Sequence, residues 1–80
     1  MRLTLYGRPE CHLCHDMRAV VEALRADVPL ELEEVDVDGD PALAAAYGEE
    51  IPVLLVNGRK AFKYRVTPAE LRARLAREPE

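Results

Sequence analysis

Two cysteines, Cys11 and Cys14, stand three residues apart in the stretch Tyr6 to Asp16, and the chain has no others. An apolar run, Leu3 and Leu5, precedes them, and a helix-like pattern follows. A strand that delivers a C-x-x-C pair to a helix start has a chemical consequence. The free N–H groups and the positive dipole end of the helix stabilise a thiolate. Spacing of three on one helix face also sets the two Cα atoms about 5–6 Å apart, within disulfide reach. The same letters, Cys11-His12-Leu13-Cys14-His15, read equally as the C-x-x-C-H of haem attachment and as four metal-ligand types. The rest of the chain has to arbitrate.

The chain has 80 residues, enough for one domain over 1–80 and for the burial of about 60% of its unfolded surface. There is no room for a large substrate cavity. The net charge of −4 argues against binding nucleic acid by charge. No apolar run approaches the length of about 18 residues that a membrane span needs. Arg8 interrupts the N-terminal apolar letters, so no signal peptide is expected there. A cytoplasmic location is expected, where a lone cysteine pair is more often catalytic or metal-binding than a static staple.

Residues 2–6 alternate as a short strand, and Gly7 to Glu10 turn the chain. From Cys11 to about Ala26 the pattern is helical, with Leu13, Met17, Val20 or Val21, and Leu24 on one side. Cys14 shares that side and should be half sunk, with Cys11 at the exposed tip. Leu30 to Val37 reads as a second strand, but Leu30 and Leu32 are out of phase with Val35 and Val37. A bulge at Glu33-Glu34, or pairing that begins only near Glu33, is the expected remedy, with Val35 and Val37 facing the core. Asp40-Pro41 starts a helix that Gly48 stops. Pro52 to Val56 is a nearly continuous apolar strand, and Asn57-Gly58 signals a tight hairpin. Lys60 to Val66 returns with Phe62, Tyr64 and Val66 on one face and Ala61, Lys63 and Arg65 on the other. Thr67-Pro68-Ala69-Glu70 is a capping box for a last helix reaching about Ala76, after which the chain should fray. The order βαβαββα predicts an α/β fold, a mixed four-stranded sheet with helices on both faces.

With that order, the chain resembles the glutaredoxin-like members of the thioredoxin-like fold over essentially its whole length. Glutaredoxins read Y-S-K-P-x-C-P-Y-C after the first strand. Here Tyr6-Gly7-Arg8-Pro9-Glu10-Cys11-His12-Leu13-Cys14 stands in that register, and Glu50-Ile51-Pro52 takes the place of T-V-P before the third strand. The resemblance implies that Cys11 is the attacking thiolate and Cys14 the resolving thiol. It implies that Arg8 supports the thiolate or a ligand carboxylate, and that Pro52 is cis with the Ile51 backbone receiving the substrate chain. Tyr6 is either a ring at the core edge or a neighbour of the site. The dipeptide His12-Leu13 would tune the redox couple. Two departures fall on the glutathione side: the acid Glu50, and Tyr64-Arg65-Val66-Thr67 where the family has Gly-Gly before its last helix. No cofactor is expected, and glutathione only as a co-substrate against which these departures count.

The expected activity is therefore thiol–disulfide exchange with a protein or small-molecule disulfide, the enzyme acting as a monomer and drawing on a thioredoxin-type or glutathione reductant. Zinc or a bridging iron–sulfur cluster is an alternative. His12 and Cys14 point to different sides of one helical turn, so the four ligand types cannot converge on one ion without a partner. Covalent haem is disfavoured by the lack of an export signal and of a distant axial methionine, Met1 being the only Met besides Met17. A thioredoxin-fold docking module that binds peptides at Ile51-Pro52 without turnover is the non-enzymatic alternative. His15 is expected to be a solvated residue with no fixed role. Charge is polarised: residues 31–50 hold eight acids and no base, residues 59–77 seven bases and one acid. Solvated faces with a few ion pairs across them are the expected outcome, ahead of steering a charged partner.

Overall fold

A computed structural model describes residues 1–79. The elements are β1 (Arg2–Gly7), α1 (His12–Arg25), β2 (Glu31–Asp36), a short 3-10 turn (Val37–Gly39), α2 (Pro41–Tyr47), β3 (Val53–Val56), β4 (Arg59–Lys63) and α3 (Pro68–Ala76). The four strands form one sheet in the order β2-β1-β3-β4. β1 and β2 are parallel, and β3 runs antiparallel to both β1 and β4. This is the mixed sheet and the element order expected from the sequence.

Pleating sends alternate residues of each strand to opposite faces. Leu3, Leu5, Leu54 and Val56 take one face and pack with Met17, Val21 and Leu24 of α1 and Leu71 and Leu75 of α3 in the main core. All four residues of β3 are buried, as a strand covered on both sides requires. Burying each Val or Leu of that strand contributes about 1.5–3 kcal/mol. α2, none of whose residues is fully buried, meets the sheet on the other face. Its anchor there is Tyr47, whose ring stacks on Tyr6 at 4.6 Å between centroids and 11° between planes.

The bulge is in a different strand from the one expected. β2 pairs with β1 without interruption from Arg2↔Glu31 to Gly7↔Asp36. Its two hydrophobic phases coexist because β2 is an edge strand half-covered on both faces: Leu32 packs against the main core and Val35 is half-buried on the other side. Leu30 and Val37, both buried, lie beyond the strand ends, where alternation no longer governs direction. The irregularity falls in β4. Leu54 pairs with Phe62 and Leu55 with Lys60, leaving Ala61 as the extra residue. Ala61 and Phe62 consequently both pack against the core, in place of the expected alternation.

β4 also ends earlier than expected, at Lys63. Tyr64 has φ 69°, a left-handed conformation uncommon for a bulky residue, and the turn brings Val66 into the core instead of extending the strand. Asn57 and Gly58 have φ 49° and 84°, the two positive values a type I′ hairpin needs. The Thr67–Glu70 capping box forms in both directions, at 3.1 and 2.9 Å. The expectation of a fraying end extends to Glu80, which lies outside the described residues. Glu78 is held in place, accepting from Asn57 Nδ2 at 2.9 Å and pairing with Arg74 at 2.9 Å.

Candidate functional site

The site is assembled where β1 and β3 end side by side. Tyr6 pairs with Val53, so one residue further along each strand Gly7 comes beside Pro52. The loop from Arg8 to Cys11 therefore lies next to the Ile51–Pro52 segment. The Ile51–Pro52 bond is cis. Pro52 is buried and Ile51 half-buried.

Cys11 is the N-cap of α1, with φ −90° and ψ 116°. Its Sγ accepts the backbone N–H of Cys14 at 3.1 Å, the bond a capping side chain makes to an otherwise unpaired helix donor. The two cysteines form a disulfide with Cα atoms 5.2 Å apart. They differ in access. Cys11 is partly exposed, whereas Cys14 retains 5% of its surface and packs against β1. A cavity of about 430 Å³ reaches Cys14 from the β2 side, between Arg8, His15, Arg18 and Glu34. A smaller one of about 210 Å³ lies on the other side of α1, between Leu13 and the segment Tyr64–Thr67.

The other sequence-predicted residues fall into distinct places. Arg8 bonds to two partners outside the cysteine pair: its Nε pairs with Asp38 at 2.9 Å and its Nη1 donates to the Gly48 carbonyl at 3.1 Å. Tyr6 is committed to its stack on Tyr47. His12 is exposed at the first position of α1, and Leu13 is half-buried. His15, for which no fixed role was expected, has one: its Nε2 lies 2.7 Å from the Pro9 carbonyl oxygen and ties the cysteine loop to the helix. Nothing in the residue pattern signals that bond, because it depends on the path of the turn at Pro9.

The glutathione-side departures acquire a physical description. The acid Glu50 is paired with Lys60, and that hydrogen bond, aided by the charges of Lys60 and Lys63, holds its carboxyl below the usual carboxylate range. Where the family has Gly-Gly, Tyr64 supplies a positive φ, with its N–H bonded to the Pro52 carbonyl at 2.8 Å. Among the described residues, no three His, Cys, Asp or Glu side chains are arranged to hold one metal ion. No helix among them is long and apolar enough to cross a membrane.

A mixed sheet in this order, with a helix-capping cysteine pair beside a cis-proline, defines a thioredoxin-fold protein of the glutaredoxin-like type. The chain belongs to the family described as Glutaredoxin-like domain (DUF836), whose model matches residues 2–76. It is similar to the uncharacterized protein Rv0508 of Mycobacterium tuberculosis, with 30% identity covering 95% of this chain and 84% of that one. Among solved structures it is similar to protein XcR50 of X. campestris, with TM-score 0.81 and 37% identity over 96% of this chain and 99% of that one. It is also similar to NrdH-redoxin of Escherichia coli, a glutaredoxin-like protein with a thioredoxin-like activity profile. There the TM-score is 0.68 and the identity 28%, over 99% of this chain and all of that one.

Proposed function

We propose that the protein is a thiol–disulfide oxidoreductase that reduces disulfides in protein substrates. The observation that carries this reading is the capping geometry: Cys11, partly exposed, has its sulfur on the Cys14 N–H at a helix start, and Cys14 is buried directly behind it. In the reduced protein the same N–H and the helix dipole favour the Cys11 thiolate. That thiolate attacks one sulfur of the substrate disulfide, forming a mixed disulfide and expelling the other sulfur as a thiolate. Cys14 then loses its proton and attacks Cys11 Sγ. This forms the Cys11–Cys14 bond, breaks the mixed disulfide, and releases the second substrate sulfur as a thiol once protonated. Two electrons pass from the cysteine pair to the substrate. A dithiol protein or glutathione returns them, and a cytosolic setting supplies either.

In this reading the Ile51 backbone, beside the cysteine loop, receives the substrate chain by strand-like hydrogen bonds. The thioredoxin-like activity profile of NrdH-redoxin, which aligns over the full chain, supports a protein substrate over glutathione. So does the presence of Tyr64 and Arg65 in place of a glycine pair. The test is insulin reduction by wild type, Cys11→Ser and Cys14→Ser. Cys11→Ser should be inactive, and Cys14→Ser should accumulate a mixed disulfide on Cys11 visible by mass spectrometry. Undiminished turnover in Cys11→Ser sinks the reading.

A further inference from the structure

We propose that Arg8 is a positioning residue that sets the gap between the cysteine loop and the Ile51 backbone. The inference rests on the redox reading above, and departs from the role that the glutaredoxin resemblance implies for this residue.

The reaction needs two parts of the chain on either side of one substrate disulfide: Cys11, from the loop after β1, and Ile51, from the loop before β3. Strand pairing joins those two segments only as far as Tyr6 and Val53. The loop before β3 is led in by α2, a seven-residue helix with no buried side chain. Its apolar side, Leu43, Ala44 and Tyr47, is only half-buried, so packing fixes it on the sheet less firmly than a fully buried stripe would. Tyr6 and Arg8, both just ahead of the cysteines, tie its C-terminal end to the cysteine side, while Lys60 on Glu50 and the Tyr64 hydroxyl on the Glu49 carbonyl hold the next two residues to the hairpin side. Tyr6 stacks on Tyr47, the last residue of α2. Arg8 donates to the carbonyl of Gly48, the C-cap, and the same guanidinium pairs with Asp38 in the turn that precedes α2. One planar fork thus spans the cysteine loop and both ends of the α2 segment, three residues before Ile51.

Gly48 leaves room on both sides of this contact. Its φ of −57° is ordinary helix, so the glycine is not there for a left-handed turn. A Cβ on it would instead run into the Ala44 carbonyl and stand 3.1 Å from an Arg8 nitrogen. The guanidinium, 34% exposed and paired with Asp38, is also a poor candidate for thiolate support because its charge is already matched.

The experiment compares two disulfides in kcat/KM. Insulin needs both Cys11 and the Ile51 backbone, whereas dithionitrobenzoate, a small aromatic disulfide, needs Cys11. In Arg8→Met the insulin value should fall about tenfold further than the small-disulfide value, the loss expected when a charge-assisted hydrogen bond is removed. Arg8→Lys should recover part of the difference, since its ammonium reaches one acceptor but cannot fork. Asp38→Asn, at an exposed position that leaves the Gly48 bond in place, should shift the ratio the same way by less. The pH at which the Cys11 thiolate forms, followed by ultraviolet absorbance, should stay with wild type. Equal losses on the two substrates, an unchanged ratio, or a thiolate transition moved by about one pH unit in Arg8→Met overturns the positioning role. A wild-type protein that reduces neither disulfide overturns the redox reading itself, and the positioning role with it.

Discussion

Gly7 lies directly against the sulfur of Cys14: a Cβ built on Gly7 would stand 2.7 Å from Cys14 Sγ and 3.1 Å from its Cβ. The last residue of β1 is therefore the floor on which the buried cysteine rests. No left-handed backbone requires glycine there; the space does. Gly7→Ala should destabilise the protein by about 1–3 kcal/mol, the range for overpacking a closed interior. The double variant with Cys14→Ala should regain part of that loss, because removing Sγ takes away the closer of the two contacts and leaves the one to Cβ at 3.1 Å. Denaturant midpoints of the four proteins in reduced form measure the coupling, and strict additivity refutes the contact.

Unequal access to the two sulfurs predicts unequal alkylation. In the reduced protein, iodoacetamide should modify Cys11 well before Cys14, which keeps 5% of its surface exposed. Peptide mass spectrometry over a time course distinguishes the two. Equal rates would mean that the resolving cysteine is not sheltered.

The capping box of α3 is a stability element that makes no bond to the cysteines. Thr67→Ala removes the hydroxyl that accepts the Glu70 N–H at 3.1 Å, and leaves the Glu70 side chain with half of its reciprocal pair. The expected cost is about 1 kcal/mol. For a domain of this size that corresponds to a fall of about 4–8 °C in Tm, read by calorimetry or circular dichroism. Insulin reduction at a temperature well below the transition should be unaffected.

Acid should weaken the fold through two carboxylates. Arg74 and then Asn57, by hydrogen bonds, hold Glu78 below its ordinary value of 4.5, and Lys60 does the same for Glu50. A carboxylate with a depressed folded-state value contributes stability above its unfolded value and loses it as pH falls through the folded one. Glu78→Gln should therefore be less stable than wild type at neutral pH. The difference should narrow once pH drops below about 4.5. Denaturation midpoints across a pH series test this, and a gap independent of pH removes the ionised carboxylate from the account.

Much of the fold was legible because its signals are local. Thr67-Pro68-Ala69-Glu70, Asp40-Pro41 and Asn57-Gly58 each announce an element end through bonds made within a few residues, and each forms as expected. The buried stripe of α1 follows directly from helical periodicity at Cys14, Met17, Val21 and Leu24. The two strands misread, β2 and β4, are the sheet's edges. An edge strand has one neighbour and incomplete cover, so alternation constrains it weakly. The phase conflict at Glu33-Glu34 needed no bulge, while the clean alternation around Ala61 concealed one.

The candidate site divides along the same line. The cysteine spacing, the strand before it and the helix after it are sequence properties, and they place Cys11 at the exposed helix start with Cys14 turned inward; that Cys11 stands one residue outside α1 as its N-cap is a finding of the structure. Contacts across the chain belong to the tertiary structure alone. Arg8 meets Gly48 40 residues away, Tyr6 meets Tyr47, and Glu50 is neutralised by Lys60 across the β3–β4 hairpin. Each depends on where two separately formed elements come to rest on the sheet. That is a matter of packing distances between distant residues, which no spacing within one segment encodes.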